Sequence, residues 1–407
     1  MNYKVISCVI ITIVAVFNAF TEYLDWKSMN NKIPDNVNDI FDEETYKKWC
    51  NYHREKCRLK FILTIVSFVI GILSFAINIY AFFTEVFPDT AFWGMFAVII
   101  LNMLLDIFIL PLEYYDKMKI EDKYGFNRST KVTFWGDKLK EVLIGLIVFV
   151  IIGSLFIFLH QKLEDWLILA FAIVLMVLVL LIAFLYPVFS KIFNKFTPLE
   201  DGELKDKLTD LLTKNGYHVK EIKVMDASKR STKMNAYFAG FGKMKTIVLY
   251  DTLKEALTTD EICAVFAHEM GHGLHKDTLK GQITTFIQMF VLSAMAWFTV
   301  RTPELFTDFG FEKINYGFAM IVILNVGFAF IMPLFGLITN YFSRKREYRA
   351  DEQAVKEGYG EALISALKKL AKSNYANLSP DPLVVKLTYS HPTLSQRFDA
   401  IHNNIHN

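Results

Sequence analysis

Seven stretches of this chain are apolar over about the thickness of a lipid bilayer, and no other feature restricts its fold as strongly. They run approximately over residues 5–20, 61–83, 91–112, 142–159, 166–189, 283–300 and 316–338. Roughly 20 apolar residues span the hydrocarbon core. Within lipid a chain must satisfy its own backbone hydrogen bonds, so each stretch is expected to be a helix. The 53% apolar content and the 37 Phe fit this reading and exclude intrinsic disorder.

Positive charge orders the crossings. Connections 21–60 and 114–141 carry eight and seven Lys/Arg. The N-terminal stub, 84–90, 160–165 and 301–315 hold only Lys4, Lys162, Arg301 and Lys313. Lys and Arg collect in cytoplasmic loops. The N-terminus is therefore expected outside or in a lumen, with the C-terminus and segment 190–282 in the cytoplasm. A cleaved signal peptide competes for the first block, but Asn18-Ala19-Phe20 puts a bulky Phe where a small residue is wanted. The retained helix is preferred. Asp106 and His160 lie in or beside apolar blocks, where polar groups usually face a bundle interior or water. The net charge of +2 gives no reason to expect a nucleic-acid partner. Cys8, Cys50, Cys57 and Cys263 are too scattered for a disulfide framework or a metal knuckle.

The expected fold class is an all-α multi-pass membrane protein with seven transmembrane helices and a small cytoplasmic α+β domain. The parts are a five-helix membrane region (1–190), a cytoplasmic segment (191–282), two further crossings (283–340) and a C-terminal cytoplasmic segment (341–407). In the cytoplasmic segment, Leu204, Leu208, Leu211 and Leu212 recur at helical spacing over 203–214, and Asn215-Gly216 ends the helix. Residues 221–226, 235–239 and 246–250 read as strands, the last two joined through 240–245. Thr259-Asp260-Glu261 signals the start of a second helix.

That helix carries His268-Glu269-Met270-Gly271-His272, an H-E-x-x-H motif. Two His four residues apart share one helix face and can direct their nitrogens at a single Zn²⁺, with the intervening Glu beside the metal rather than on it. Zinc of this kind acidifies water and polarises a carbonyl, and the Glu moves the proton, which is the equipment of a metallohydrolase. A third ligand follows from topology. Two crossings separate His272 from Glu347, so the chain returns to the same face and Glu347 can complete a His₂Glu site with one position open. Asp351, one turn further, is placed to accept a ring N–H from a ligand His. Without the upstream motif, Glu347 and Asp351 would read as a solvated helix end.

These residues make the chain resemble the type I CAAX prenyl endopeptidases, integral-membrane gluzincin zinc metalloproteases. The matching residues are His268-Glu269-Met-Gly-His272, Asn340-x-x-Ser-Arg-x-x-Glu347-x-x-Ala-Asp351, Tyr124-Gly-Phe-Asn127, Asn235-Ala-Tyr-Phe, and Ser390-His391-Pro392 with Arg397. The resemblance implies seven helices enclosing an aqueous chamber, one Zn²⁺ per chain, and cleavage of prenylated proteins near a C-terminal C-a-a-X sequence. It implies that Asn235 and Ala236 lie on an edge strand pairing with an extended substrate, as in β-augmentation. It further implies that His391 bonds the substrate near the reacting carbonyl and that Arg397 supports that arrangement. Met225, Met234 and the Phe-rich helices read as packing rather than as prenyl contacts. The implied partners are a peptide or protein substrate, C-terminally prenylated in the family, and the lipid bilayer, with no nucleic acid. The membrane would be the endoplasmic reticulum in a eukaryote or the inner membrane in a bacterium.

Two departures bear on the substrate. No retention tail follows Asn403, and the Lys/Asn/Ile-rich composition does not say whether the source makes prenylated proteins. The alternatives are a membrane-protein quality-control protease without a prenyl requirement, and a non-catalytic membrane protein with structural zinc, for which His275 is the nearest candidate fourth ligand.

Overall fold

The computed structural model describes residues 2–239 and 244–406. Helix α1 (Tyr3–Ser28) lies against α2 (Glu43–Ala76), which starts where Asp42 Oδ1 accepts the Thr45 N–H. The second apolar block breaks just after the end of α2. Asn78 takes a left-handed conformation, φ 54°, which Asn tolerates better than most residues, and a short helix Ile79–Thr84 follows. The third block is also interrupted. Helix α3 (Ala91–Asp106) bends by 44° into Leu110–Lys123, with Pro111 in the first turn of the new helix, where its missing N–H has no role. Helices α4 (Lys131–Leu163) and α5 (Leu167–Phe193) complete the N-terminal region.

The chain then forms a four-stranded sheet. Its strands are β1 (Phe196–Pro198), β2 (His218–Met225), β3 (Ala236–Ala239) and β4 (Met244–Tyr250), in the order β1-β2-β4-β3. Only β2 and β4 run parallel, and β3 is an edge. Three of these strands coincide with the expected ones to within a few residues. β1 was not expected, because three residues ending in proline carry no usable alternation. The 240–243 part of the expected β3–β4 connection falls outside the described residues. Between β1 and β2, α6 (Glu203–Lys214) buries Leu208, Leu211 and Leu212.

Helix α7 (Thr259–Leu274) opens with a capping box: Thr258 Oγ1 accepts from the Glu261 N–H, and a Glu261 carboxylate oxygen accepts from the Thr258 N–H. Glu261 is also bonded by Ser365 and Lys369 of the helix Gly360–Asn374. Burial alone would raise its carboxyl, but these donors hold it below the usual range. After Lys276 at φ 54°, α8 (Asp277–Val300) enters the membrane region. The chain returns through α9 (Tyr316–Lys356), a continuous 41-residue helix with a π-helical stretch at Ile323–Phe328 and Pro333 inside it. Helices α10 (Gly360–Asn374) and α11 (Leu394–His406) close the domain that carries the sheet.

Among the described residues five helices, α1, α2, α4, α8 and α9, are long and apolar enough to cross a bilayer, and the bent α3 pair makes a sixth. In α5 the apolar run among those residues is 167–182. Two cores result. One joins α6, β2, β4, α7, α10 and α11, while the other joins α3, α4, α5, α8 and the start of α9.

The contact that positions the site is between α7 and α9. A Cβ added at Gly271 would come within 2.8 Å of Ala350 Cα and 3.3 Å of Ala350 O. Both atoms are backbone and cannot step aside. In Gly271→Ala, overpacking of about 1–3 kcal/mol should outweigh the roughly 1 kcal/mol gained in helix propensity. The variant is expected to melt at lower temperature in detergent; an unchanged melt would mean that the helices are not in contact there.

Candidate metal centre

His268 and His272 sit one turn apart on the buried face of α7, and Glu347 enters from α9 at 3% exposure. One ligand atom from each lies within 4.8 Å of the other two. Glu347 Oε1 is 3.2 Å from His272 Nε2, and Oε2 is 3.6 Å from His268 Nε2. The structure thus brings together the three residues expected to hold a metal.

Each imidazole is oriented from behind. His268 Nδ1 lies 2.8 Å from Asp351 Oδ1, and His272 Nδ1 lies 3.2 Å from Asp277 Oδ2. Each carboxylate favours the tautomer with hydrogen on Nδ1, which leaves both Nε2 atoms as acceptors turned to the common space. Asp351 is fully buried and clamped by Arg397, whose Nε and Nη2 donate to Oδ2 and Oδ1 at 2.9 and 2.6 Å. Asp277 also takes Arg349 Nη2 at 3.3 Å. Asp277 escaped the sequence reading, since it lies beyond the end of α7; the Lys276 reversal that turns it back toward His272 has no sequence signature of its own. Burial would lower the His272 pKa, but the Glu347 carboxylate and Asp277 outweigh it and hold it above the ordinary value. A proton and a metal ion therefore compete for Nε2.

Glu347 Oε2 tests the fit of a metal. This oxygen is buried and makes no hydrogen bond of normal geometry, although His391 Nδ1 stands 2.8 Å away. An unsatisfied buried carboxylate oxygen is costly, and here it lies beside two imidazole acceptors. A divalent cation satisfies all three atoms at once. The donor set of two nitrogens and one carboxylate suits such an ion, and among the described residues no fourth His, Cys, Asp or Glu joins the group. His275, the candidate for that place, is the C-cap of α7.

The remaining expected residues surround this cluster. Glu269 is half-buried on α7 beside His268. His391 is 62% exposed by its side chain and touches Glu347 itself, so the contact observed for it is with a member of the triad. Arg397 acts on Asp351, with Nη1 3.7 Å from Glu347 Oε2. Met225 and Met234 are packed in cores, as expected. Asn235 is exposed and Ala236 begins β3. The Tyr250 N–H donates to Asn235 O, so alternation turns the backbone groups of Ala236 away from β4 toward the free edge. The Ala236 N–H donates to Asn235 Oδ1 at 2.9 Å.

Residues 198–405 match the profile of peptidase family M48, and residues 22–195 match the profile described as CAAX prenyl protease N-terminal, five membrane helices. The chain is 31% identical to CAAX prenyl protease 1 of Saccharomyces cerevisiae, over 95% of this chain and 92% of that protein. It is 36% identical to the CAAX prenyl protease 1 homolog of Arabidopsis thaliana, over 72% and 69%. The crystal structure of S. mikatae Ste24p superposes with a TM-score of 0.90 at 30% identity, covering 98% of this chain and 99% of that one. With both regions matched and a metal-binding triad where the peptidase profile lies, the chain belongs to peptidase family M48, among the membrane metalloendopeptidases related to CAAX prenyl protease 1.

Proposed function

We propose that this metalloendopeptidase uses one Zn²⁺, held by His268, His272 and Glu347, to remove the aaX tripeptide from C-terminally prenylated proteins. The observation that carries the reading is the triad itself: three donors of the right chemistry from two helices, with an unsatisfied buried oxygen among them. A zinc ion bound there would supply Lewis acidity and make water a nucleophile near neutral pH.

The chain's own residues do the rest. The substrate's extended backbone adds to the free edge of β3, where Ala236 offers an N–H and a C=O and Asn235 its side-chain amide. Asn235 Oδ1 gives up the Ala236 N–H when a substrate carbonyl takes that donor. Water adds to the scissile carbonyl carbon. The Glu269 carboxylate takes a proton from that water and passes it to the leaving nitrogen as the C–N bond breaks. His391 turns from Glu347 to donate to the substrate near the reacting carbonyl, and Arg397 keeps Asp351 ionised and aligned behind His268.

We further propose seven crossings around a chamber, with the N-terminus outside or lumenal and the site cytoplasmic. Support comes from the coincidence of all seven apolar blocks with helices and from the Lys/Arg alternation. A cavity of about 690 Å³ between α3, α4 and α9, lined by Ile99, Met103, Leu146, Phe149 and Met320, gives an apolar chain room inside the bundle. A neighbouring cavity of about 410 Å³ shares Asn102, Asp106 and Asn325 with it, which supports a wet interior. The division at 190, 282 and 340 and the host membrane, endoplasmic reticulum or bacterial inner membrane, belong to the same proposal.

Glu269→Gln is expected to lower turnover by about 10²–10⁴-fold while the protein still binds one zinc by elemental analysis; retained proteolysis would remove Glu269 from the mechanism. Asp351→Asn should weaken zinc affinity by about 10–100-fold, read by chelator competition. A farnesylated C-a-a-X peptide should be cut much faster than its unprenylated twin. Equal rates would favour a quality-control protease, and zinc binding without cleavage of either would favour a structural ion.

A further inference from the structure

The strand that would hold the substrate is fastened at its start to the N-terminal region. Backbone bonds join Arg128 N to Arg230 O and Thr232 N to Phe126 O, with a bridge between Asn127 and Ser231. Met234 exchanges two bonds with the side chain of Asn374. Between these lies Lys233. Its Nζ is 3.2 Å from Glu121 Oε2 and 3.3 Å from Tyr52 Oη, and sits 4.9 Å over the Phe126 ring. Its own carbonyl accepts the Thr252 hydroxyl at 3.0 Å.

Glu121 is only 8% exposed, and its carboxylate also takes Tyr52 Oη at 2.7 Å and Lys56 Nζ at 3.0 Å. Removing Lys233 would take the partner of Oε2 but leave Oε1 bonded to Tyr52 and paired with Lys56, so the Glu121 charge keeps a counter-ion. That separates this ammonium from a group on which folding depends: its loss frees the lead-in to β3 without leaving an unpaired buried charge. An edge strand gives affinity through backbone bonds of fixed register, so a small displacement of its first residues weakens every one of them.

We propose that Lys233 is a positioning residue for peptide binding, its ammonium seated between Glu121, Tyr52 and Phe126 so that Asn235 and Ala236 meet the substrate in register. The N-terminal region thereby sets the affinity of the peptidase region. The proposal rests on the reading that β3 pairs with substrate, and the test separates the two. With the full-length protein and a farnesylated C-a-a-X peptide, Lys233→Met should raise KM about tenfold and leave kcat within about twofold. It should retain one zinc per chain, and Lys233→Arg should recover most of the KM. An unchanged KM, or a parallel loss of kcat and zinc, would overturn the positioning role. Ala236→Pro, which removes the outward N–H of an edge strand and leaves the Tyr250–Asn235 backbone bond in place, serves as the control. If it raises KM while Lys233→Met does not, β3 pairing stands and this proposal falls; if it leaves KM unchanged, the pairing reading falls and takes this proposal with it.

Discussion

Close contact between α7 and α9 is the constraint on which the site depends. Gly271 lies in the middle of the metal-binding motif, and the missing side chain lets Ala350 approach at backbone distance. Because α9 leaves the membrane as one helix, the position of Glu347 is fixed by the same rod that packs in the bundle. The two His reach that rod from a helix joined at Lys276 to α8, another membrane helix. The geometry of the triad and that of the bundle are therefore mechanically linked, with only the short turn at Lys276 between α7 and α8.

Charge is layered behind this contact. Glu347 is ringed by His268, His272, His391 and Arg397. Asp351 and Asp277 stand behind the imidazoles, each held in turn by an arginine. A buried Arg–Asp pair adds little net stability against an apolar pair of similar size, but breaking it by removing one partner typically costs 3–5 kcal/mol. Its use here is directional: it fixes which nitrogen of His268 carries hydrogen and where the other points.

Much of the site was legible because its signals are short-range or topological. The spacing of His268 and His272 is a helical fact, and Glu347 follows from counting crossings. Asp351 follows from one turn of helix. Asp277 and Lys233 were not legible, for a common reason. Asp277 depends on the left-handed turn at Lys276, while Lys233 depends on Glu121 and Tyr52, residues 112 and 181 positions away. Interactions at that separation leave no periodicity. The breaks at Asn78 and Pro111 lie between: each has a local cause, yet hydropathy averages over both.

The amino-acid order alone determined that the chain lives in lipid, that its helices fall on the seven apolar stretches, and that one helix face offers two imidazoles and a glutamate. Those follow from backbone hydrogen bonding without water and from the 3.6-residue turn, which act within a single segment. Only the folded chain decided how near Glu347 comes to those imidazoles, which carboxylates stand behind them, and that β3 is an edge strand whose lead-in is tied to the N-terminal region through Lys233. These depend on packing between segments far apart in sequence, where side-chain volume and paired charge, rather than local propensity, set the distances.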